Sequence, residues 1–363
     1  NISFPSVSSN VKALIESGLV LEIGESERNN GPGRKSTLLS YNASKGYVIG
    51  VDAGRSQIRA MCSDLLGTPV ASVNKDSSYQ NSGEYIFEQI LSAITDLINM
   101  SEISENNLKC ICIGIPGIWD EEKGKNRLAP FIHSWEDIRV KDRLESKFGT
   151  EVIVDNSVNL GAIGEKWQGI AQGHKDIVFI DYGVGIGAGI ILNNELYRGR
   201  NNAAGEIGYM ALDKFYLRRS FKEEGALEEL ISGASIINSM KSFSSMKSLS
   251  NNKRDYSVEE IFKMADESNI LAKKVLNDML IYLSIAIVNI VSVINPDIIV
   301  LSGRLGTAIG ERYRQEIMDI LEAHVPYVPD LVISELGDNA PVIGAIAVAI
   351  RYANSNLMFA EQL

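Results

Sequence analysis

The sequence predicts an α/β protein with a small N-terminal winged helix-turn-helix followed by a domain of two α/β lobes. Three observations support this prediction. An amphipathic helix and a hairpin fill residues 1–45, an Asp-x-Gly turn joins two strands after Tyr47, and a glycine-rich hairpin occupies residues 177–209. The last two stretches lie in segments where buried strands alternate with helical patterns, which is typical of α/β domains.

Length and composition limit the class of protein. A chain of 363 residues is long enough for two or three domains and a sizeable core. Its three cysteines do not make a disulfide framework, which indicates a reducing cytoplasm. The longest apolar run, residues 280–294, is interrupted by polar residues and is short for a membrane span, so we predict a buried helix. Because the chain begins at Asn1 in mid-motif, we expect a further N-terminal segment.

Charge is distributed unevenly along the chain. The formal net charge of −11 argues against general binding of polyanions. Residues 1–45, in contrast, carry five basic and four acidic side chains. Any contact with nucleic acid is therefore expected to be local and N-terminal.

The N-terminal segment predicts a helix followed by a basic hairpin. Ser3 and Pro5 are typical of a helix start, and a strand pattern at 19–23 is followed by a second one at 37–41. If the helix enters the major groove and the hairpin tip reaches phosphate, the residues that contact DNA are Ser3, Ser6, Ser9, Asn10, Lys12, Arg34 and Lys35. The alternative is a small structural cap on the next domain.

The glycine-rich stretch alternates glycine with apolar residues between Gly183 and Gly189, and Asn193-Asn194 then forms a polar turn. Alternate glycines remove side chains from one face of a strand, so we expect a ligand to approach the backbone there. The alternative is a glycine-weakened hairpin packed on another sheet. Small residues and one carboxylate, Glu206, follow the hairpin.

The order of these motifs resembles that of the ROK family, which groups bacterial sugar kinases with sugar-responsive repressors. The resemblance covers nearly all of the chain and is strongest for the repressor branch, which carries a winged helix where SFPSVSSNV and Gly33-Arg34-Lys35 stand here. The kinases of the family lack that segment. The resemblance implies a two-lobed, actin-like ATPase fold of ribonuclease H-like topology, with sugar bound between the lobes.

The nucleotide loops of the family are present but altered. Asp52-Ala53-Gly54 matches the first phosphate loop, but Arg55 replaces a glycine that lets the backbone approach phosphate. In the second loop, Val184 replaces the threonine. The resemblance therefore implies vestigial nucleotide loops at Asp52, Gly54, Gly183, Gly185 and Gly303.

Residues 151–165, EVIVDNSVNLGAIGE, contain the main departure from the kinases. Where a kinase has the aspartate that accepts the proton of the sugar hydroxyl, this chain has Ser157, which cannot act as a base without an activating partner. Asp155 would face the same side if the chain stayed extended, about 7 Å away, too far to substitute.

The resemblance also implies a sugar site. Its residues are Gly117, Phe131, Asn156, Ser157, Glu206, Tyr209 and Glu228. Tyr209 stands where a histidine of the family contacts sugar and ligates zinc, and Phe131 stands in place of an asparagine. The remaining zinc positions fall at Arg219, Phe221 and Ala226, so we expect no metal site.

Three classes of function are consistent with these features. They are a sugar-responsive repressor of carbohydrate metabolism genes, an ATP-dependent sugar kinase of the glucose or N-acetylglucosamine type, and a sugar sensor that acts only through protein partners. The N-terminal segment favours the first, and Ser157, Val184 and Arg55 count against the second. We predict a non-enzymatic repressor without a cofactor.

The predicted repressor has three domains and several partners. The domains are residues 1–45, a first lobe at 46–155 and a second lobe at 156–363, with the C-terminal helix packing back on the first lobe. The predicted partners are operator DNA, a sugar or sugar-phosphate effector, and further copies of the chain in a dimer or tetramer, without membrane attachment. Whether the effector releases or strengthens DNA binding stays open.

Overall fold

A computed structural model describes residues 3–26, 35–54, 57–77, 82–127, 132–221, 225–247 and 255–359. Two five-stranded sheets form the centres of two lobes. A short helix and a two-stranded hairpin precede the first lobe. The two-lobed α/β prediction is therefore confirmed.

The N-terminal elements are helix α1 (Phe4–Glu16) and strands β1 (Val20–Glu25) and β2 (Thr37–Tyr41). The side chain of Ser3 caps α1 by accepting from the backbone N–H of Ser6. No residue of α1 is buried, so its polar face and its apolar stripe are both accessible. Strands β1 and β2 pair antiparallel, as predicted.

The first lobe contains strands β3 to β9 and two helices. In chain order they are β3 (Tyr47–Ala53), β4 (Gln57–Asp64), β5 (Pro69–Asp76), α2 (Gly83–Ser101), β6 (Leu108–Ile115), β7 (Ile118–Asp120), β8 (Lys125–Arg127), α3 (Val140–Phe148) and β9 (Val152–Asn156). The sheet order is β5-β4-β3-β6-β9, with β7 and β8 paired separately. Helices α2 and α3 cover one face of the sheet in an aliphatic and aromatic core.

The second lobe repeats this topology. Its elements are α4 (Ser157–Gln168), β10 (Ile177–Tyr182), β11 (Ile186–Leu192), β12 (Glu195–Leu196), α5 (Ala226–Ile231), α6 (Gly233–Lys247), α7 (Val258–Asp266), α8 (Ile270–Ile294), β13 (Ile298–Ser302), α9 (Gly303–His324), β14 (Asp330–Ile333) and α10 (Ala340–Phe359). The order β12-β11-β10-β13-β14 places three antiparallel strands before two parallel ones, as in the first sheet. This repeated order is the predicted ribonuclease H-like topology.

Helices α4 and α10 lie between the two sheets and touch through their backbones. A Cβ added to Gly344 of α10 would lie 1.8 Å from the carbonyl oxygen of Leu160 of α4. A Cβ on Gly164 would lie 2.2 Å from the carbonyl oxygen of Ala340. Since α10 also packs on β3, β4 and β6, while α4 packs on β10 and β11, this helix pair joins the two lobes.

The glycine-rich hairpin differs from the prediction in two ways. Its main turn lies at residues 183–185, between β10 and β11, while Asn193 and Asn194 form a second turn with positive φ angles that leads to β12. Gly189 does not leave a face open for a ligand, because its added Cβ would lie 2.6 Å from the Cβ of Ala162 on α4. That glycine instead admits a packed helix, whereas the alternative raised from the sequence was packing on another sheet.

Helix α8 contains the long apolar run. Among the described residues it is the one helix that is long and apolar enough to cross a membrane. Eleven of its residues are nevertheless buried in the core of the second lobe. The prediction of a buried helix over 280–294 therefore holds for one side of α8, while Ile281 and Val293 are exposed on the other.

We expect Gly344→Ala to lower the free energy of unfolding by about 2 kcal/mol or more, because the new methyl group would push α10 away from α4. Gly306→Ala in α9 is the matched control. Its added Cβ meets nothing closer than 3.6 Å, so a gain in helix propensity of up to about 1 kcal/mol is expected. Urea denaturation of both variants measures the difference, and equal stabilities would contradict the tight crossing.

Candidate functional site

A cleft of about 470 Å³ lies between the lobes, where several strands end. Asp52 lies near the end of β3 and Gly54 follows that strand, while Gly117 follows β6 and Gly183 follows β10. The N-termini of α4 and α9 also reach the cleft. Ligands of open α/β sheets bind at the carboxyl ends of the strands, and the volume suits a small molecule.

Glu206, Tyr209 and Glu228 form an acidic wall of this cleft. Burial raises the pKa of the Glu206 carboxyl, and the neighbouring charge of Glu228 raises it further. Burial and both carboxylates also raise the pKa of the Tyr209 hydroxyl. The structure thus brings together three side chains that lie up to 22 positions apart in the sequence. Carboxylates in such a wall can accept hydrogen bonds from the hydroxyl groups of a polyol.

The loop that carries Glu206 is held by close backbone contacts. Gly205 has a φ of +87°, and a Cβ there would overlap the carbonyl oxygen of Ala188 in β11. A Cβ on Gly225, just before α5, would meet the carbonyl of Gly208 at 2.0 Å. Only glycine allows both approaches, so the segments that bear Glu206 and Glu228 are pressed together.

Asn156 ends β9, caps helix α4 and bonds the loop after the neighbouring strand β6. Its Oδ1 accepts from the backbone N–H of Val158 at 2.7 Å, and its Nδ2 donates to the carbonyl of Gly117 at 2.8 Å. Two of the predicted sugar-site residues, Asn156 and Gly117, are therefore bonded to each other. Each amide atom of Asn156 keeps one further hydrogen-bonding position for a ligand.

Ser157 begins helix α4 and donates its hydroxyl proton to Asp52. The distance between Ser157 Oγ and Asp52 Oδ1 is 2.6 Å. Asp52 is 4% exposed, and burial raises the pKa of its carboxyl from 3.8 to about 6, although the bond from Ser157 and the charge of Arg59 oppose the shift. Ser157 is thus held as a hydrogen-bond donor to a buried carboxylate.

Asp155 does not face the cleft beside Ser157. The chain turns into α4 at Ser157 rather than staying extended, so the orientation considered from the sequence is not adopted. Asp155 is buried, forms an ion pair with Arg198 and accepts from the side chain of Asn159. It therefore holds the loop after β12 and does not replace the missing base.

Further acidic groups lie in the part of the cleft that carries the predicted nucleotide loops. Asp181 lies 2.6 Å from the position of a Cβ on Gly303, whose φ is +74°. Asp338 pairs with Arg59 at 2.8 Å, and Arg304 pairs with Glu259 at 2.8 Å. The predicted vestigial loop residues Asp52, Gly54, Gly183, Gly185 and Gly303 all line this part of the cleft.

Sequence reasoning missed several residues of the cleft. They include Arg59, Asp181, Asn202, Arg304 and Asp338. Asp181 was open to prediction, because it is an acidic residue in the buried β10, just before the glycine turn. The others come from separate segments whose meeting depends on the packing of the lobes.

The predicted DNA-contacting residues form a separate group. Those on and before α1 are exposed, and Lys12 pairs with Glu16 along the helix. Lys35 pairs with Glu25 across the hairpin at 3.2 Å. Arg34, together with Arg55 and Phe131 of the predicted cleft, lies outside the described residues.

The positions that the resemblance assigned to zinc carry a different cluster. Arg219 makes two bonds to Glu229, at 2.9 and 3.1 Å, and lies over the ring of Phe221. The rings of Tyr216 and Phe221 are 5.7 Å apart. Within the described residues, no group of three or more His, Cys, Asp or Glu is arranged to hold a metal ion.

Comparison with known proteins shows the relationships of this fold and cleft. The model of the ROK family matches residues 48–352. The chain is 30% identical to a putative xylose repressor of Caldicellulosiruptor sp. (strain Rt8B.4) over 353 residues, covering 95% of this chain and 88% of that protein. It is also 30% identical to a glucokinase of Halalkalibacterium halodurans over 309 residues, covering 82% of this chain and 93% of that enzyme.

A solved structure supports the fold over most of the chain. The crystal structure of a ROK family transcriptional regulator, a homologue of the E. coli MLC protein, superposes with a TM-score of 0.79 and 22% identity. It covers 98% of this chain and 91% of its own. The likeness in fold therefore extends beyond residues 48–352 into the N-terminal segment.

We expect Asp52→Asn to stabilise the fold in a pH-dependent way. Because burial raises the pKa of Asp52 from 3.8 to about 6, the ionised form is penalised in the folded state. The penalty is absent below pH 3.8 and complete above about 6, even with Ser157 and Arg59 favouring ionisation and Asp181 and Asp338 opposing it. The variant should gain on the order of 2 kcal/mol at pH 8 and little at pH 4.

Denaturant unfolding at pH 4, 6 and 8 measures this gain, and Asp319→Asn on α9 is the control. Asp319 accepts from Gln315 on the helix surface, so its substitution should change stability little at any of these pH values. A gain for Asp52→Asn that is the same at pH 4 and pH 8, or a loss at pH 8, would contradict the assignment.

Proposed function

Because the chain belongs to the ROK family, we propose that it is a sugar-responsive transcriptional repressor that binds operator DNA as a dimer. The observation that carries the proposal is the N-terminal helix and hairpin, whose strand β2 leads directly into β3, the first strand of the cleft. A kinase needs no such segment, whereas a repressor needs a DNA-binding domain joined to its effector-binding domain.

DNA is read by the exposed polar face of α1 and by the hairpin tip. Short side chains such as Ser6 and Ser9 let the helix come close to base edges, while Lys12 and Lys35 are placed for phosphate. Arg34 is beside Lys35 in the sequence and is proposed as a further DNA contact. One such helix reads too few base pairs for specific control, so two copies of the chain on paired half-sites are required.

Sugar is held by the acidic wall and by the start of α4. Glu206 and Glu228 accept hydroxyl hydrogen bonds on the side of the second lobe, Tyr209 and Asn156 add a ring and an amide, and Gly117 contributes backbone from the first lobe. Ser157 and the rest of the described cleft complete the site. A sugar that touches both lobes favours the closed cleft, because it gains contacts only when the lobes approach.

The alternative is an ATP-dependent sugar kinase, which the glucokinase relative keeps in view. Phosphoryl transfer requires a group that takes the proton from the attacking hydroxyl. At that position Ser157 already donates its own proton to Asp52. The altered loop residues Arg55 and Val184 weaken the hold on phosphate as well, so Ser157→Asp alone should not create a kinase.

The third class, a sensor that acts only through proteins, predicts no specific DNA binding at all. Operator binding therefore separates it from the repressor, and an assay of ATP-dependent phosphorylation of glucose, xylose or N-acetylglucosamine separates the kinase. Turnover of about 1 per second or more, with any of these sugars, would replace the repressor proposal by the kinase.

We expect the sugar affinity of the cleft and the operator affinity of the N-terminal segment to depend on each other. Glu206→Ala should weaken sugar binding at least tenfold and leave sugar-free operator affinity within twofold, because its carboxylate lies in the cleft. Lys12→Ala should weaken operator binding several-fold and leave sugar affinity unchanged, because its ammonium is exposed on α1. Titrations of the full-length protein with labelled operator and with sugar measure both.

For the wild-type protein, saturating sugar should lower operator affinity at least several-fold, and operator should lower sugar affinity by the same factor. If a sugar that binds the cleft leaves operator affinity unchanged, the regulatory proposal loses its mechanism.

The contacts of α10 suggest how a conformational change at the cleft is transmitted to the N-terminal segment. Helix α4 carries Ser157 at the cleft and crosses α10 through backbone contacts. Asn354, near the end of α10, accepts a hydrogen bond from the hydroxyl of Tyr41 at 2.8 Å. Tyr41 ends β2, and the next residue, Asn42, donates to the carbonyl of Gly18 just after α1. A shift of α10 on cleft closure could therefore be transmitted to α1 through the hydrogen bonds of Tyr41 and Asn42.

Tyr41→Phe tests this route, because it removes only the hydroxyl that bonds Asn354. We expect affinity for operator and for sugar, each measured alone, to stay within twofold. The factor by which sugar weakens operator binding should fall to half of the wild-type factor or less. The exposed Tyr327 provides the control substitution Tyr327→Phe, which should keep the full factor. Full coupling in both variants would rule out the Tyr41 contact as part of the route.

A further inference from the structure

The cleft is strongly acidic. Its described lining contains five carboxylates, Asp52, Asp181, Glu206, Glu228 and Asp338, and two cations, Arg59 and Arg304. No lysine or histidine lines the part of the cleft that the structure describes. An anionic ligand would therefore meet a net negative field.

Both cations of this lining already have carboxylate partners. Arg59 donates to Asp338 at 2.8 Å, and Arg304 pairs with Glu259 at 2.8 Å. Arg198, which lies in the segment beside the cleft, is held by the buried Asp155. A phosphate group entering the cleft would have to break one of these pairs to gain a cation, and would leave a carboxylate without its partner.

Side chains of the protein itself, two of them acidic, lie at the two helix N-termini that reach the cleft. A helix N-terminus favours an anion, since its first N–H groups lack partners within the helix. At the start of α4, Asn156 accepts from the N–H of Val158, and the hydroxyl of Ser157 donates to Asp52. At the start of α9, Asp181 lies directly against Gly303. The protein's own carboxylates thus stand where a phosphate would be attracted.

The acidic wall suits a ligand that donates hydrogen bonds. Glu206 and Glu228 line the same cleft, and burial together with the charge of Glu228 raises the pKa of Glu206. Hydroxyl groups of a neutral sugar stabilise such carboxylates by donating to them. A second anion nearby would add repulsion in the same poorly screened space.

We propose that the effector is an uncharged sugar and that the carboxylates of the cleft reject its phosphate ester. This inference rests on the proposed function and narrows it, since the sequence left sugar and sugar phosphate as equal alternatives. A regulator with this selectivity responds to a sugar before any phosphorylation step has acted on it.

Binding measurements with matched pairs of ligands test the proposal. Calorimetric titration at pH 7.5 compares D-xylose with D-xylose 5-phosphate, and D-glucose with D-glucose 6-phosphate; 6-O-methyl-D-glucose controls for bulk at the same oxygen. We expect at least one uncharged sugar to bind, and its phosphate ester to bind at least tenfold more weakly. A phosphate ester that binds as well as its parent sugar, or a panel in which no uncharged sugar binds, overturns the proposal.

A charge-removing variant tests whether the carboxylates of the cleft cause the weaker binding of the phosphate ester. Asp52→Asn removes one negative charge at the start of α4 and keeps an oxygen that accepts from Ser157. It should reduce the ratio of phosphate-ester to parent-sugar dissociation constants at least threefold, whereas Asp319→Asn on α9 should leave the ratio unchanged. If Asp52→Asn leaves the ratio of the two dissociation constants unchanged, the proposal that the cleft carboxylates reject the phosphate ester is wrong.

The same ligands separate this inference from the regulatory proposal. If a phosphate ester binds best and shifts operator affinity, the effector class proposed here is wrong and the repressor remains. If an uncharged sugar binds best and operator affinity does not respond to it, the effector class stands and the repressor mechanism is wrong.

Discussion

The backbone contact between α4 and α10 is the constraint on which the rest of the structure depends. Gly164 and Gly344 let the two helices cross at distances that no side chain would permit. Through this crossing, α10 covers the sheet of the first lobe while α4 covers the sheet of the second. The cleft opens at the end of the same helix pair, so its geometry follows from where the two helices meet.

The bond between Ser157 and Asp52 ties the start of α4 to the end of β3 inside the cleft. A buried carboxylate needs a hydrogen-bond donor, and Ser157 provides it from 2.6 Å away. A carboxylate at residue 157 would instead face Asp52 at a distance where both could not stay ionised without a cation between them. Ser157 therefore gives Asp52 a hydrogen-bond donor at the position where a second carboxylate would repel it.

The N-terminal segment and the cleft differ in their charge and lie in separate parts of the structure. Its N-terminal segment is close to neutral and exposes short polar side chains with scattered bases, whereas the cleft concentrates carboxylates. The hydrogen bonds of Tyr41 and Asn42 join these regions at a point where the backbone passes from one to the other. The two regions that the proposed function assigns to DNA and to sugar thus differ in charge within one chain.

The sequence by itself determined the local elements and, through its ordered motifs, the two-lobed fold. Strand patterns at 19–23 and 37–41 identified β1 and β2, and Ser3 marked the start of α1, because periodicity and capping act over a few residues. Only the tertiary structure placed α4 over Gly189, turned Asp155 toward Arg198 and set Ser157 against Asp52, 105 residues away. Such pairings depend on the relative position of the lobes, and that position is decided by packing between distant segments, which no local pattern encodes.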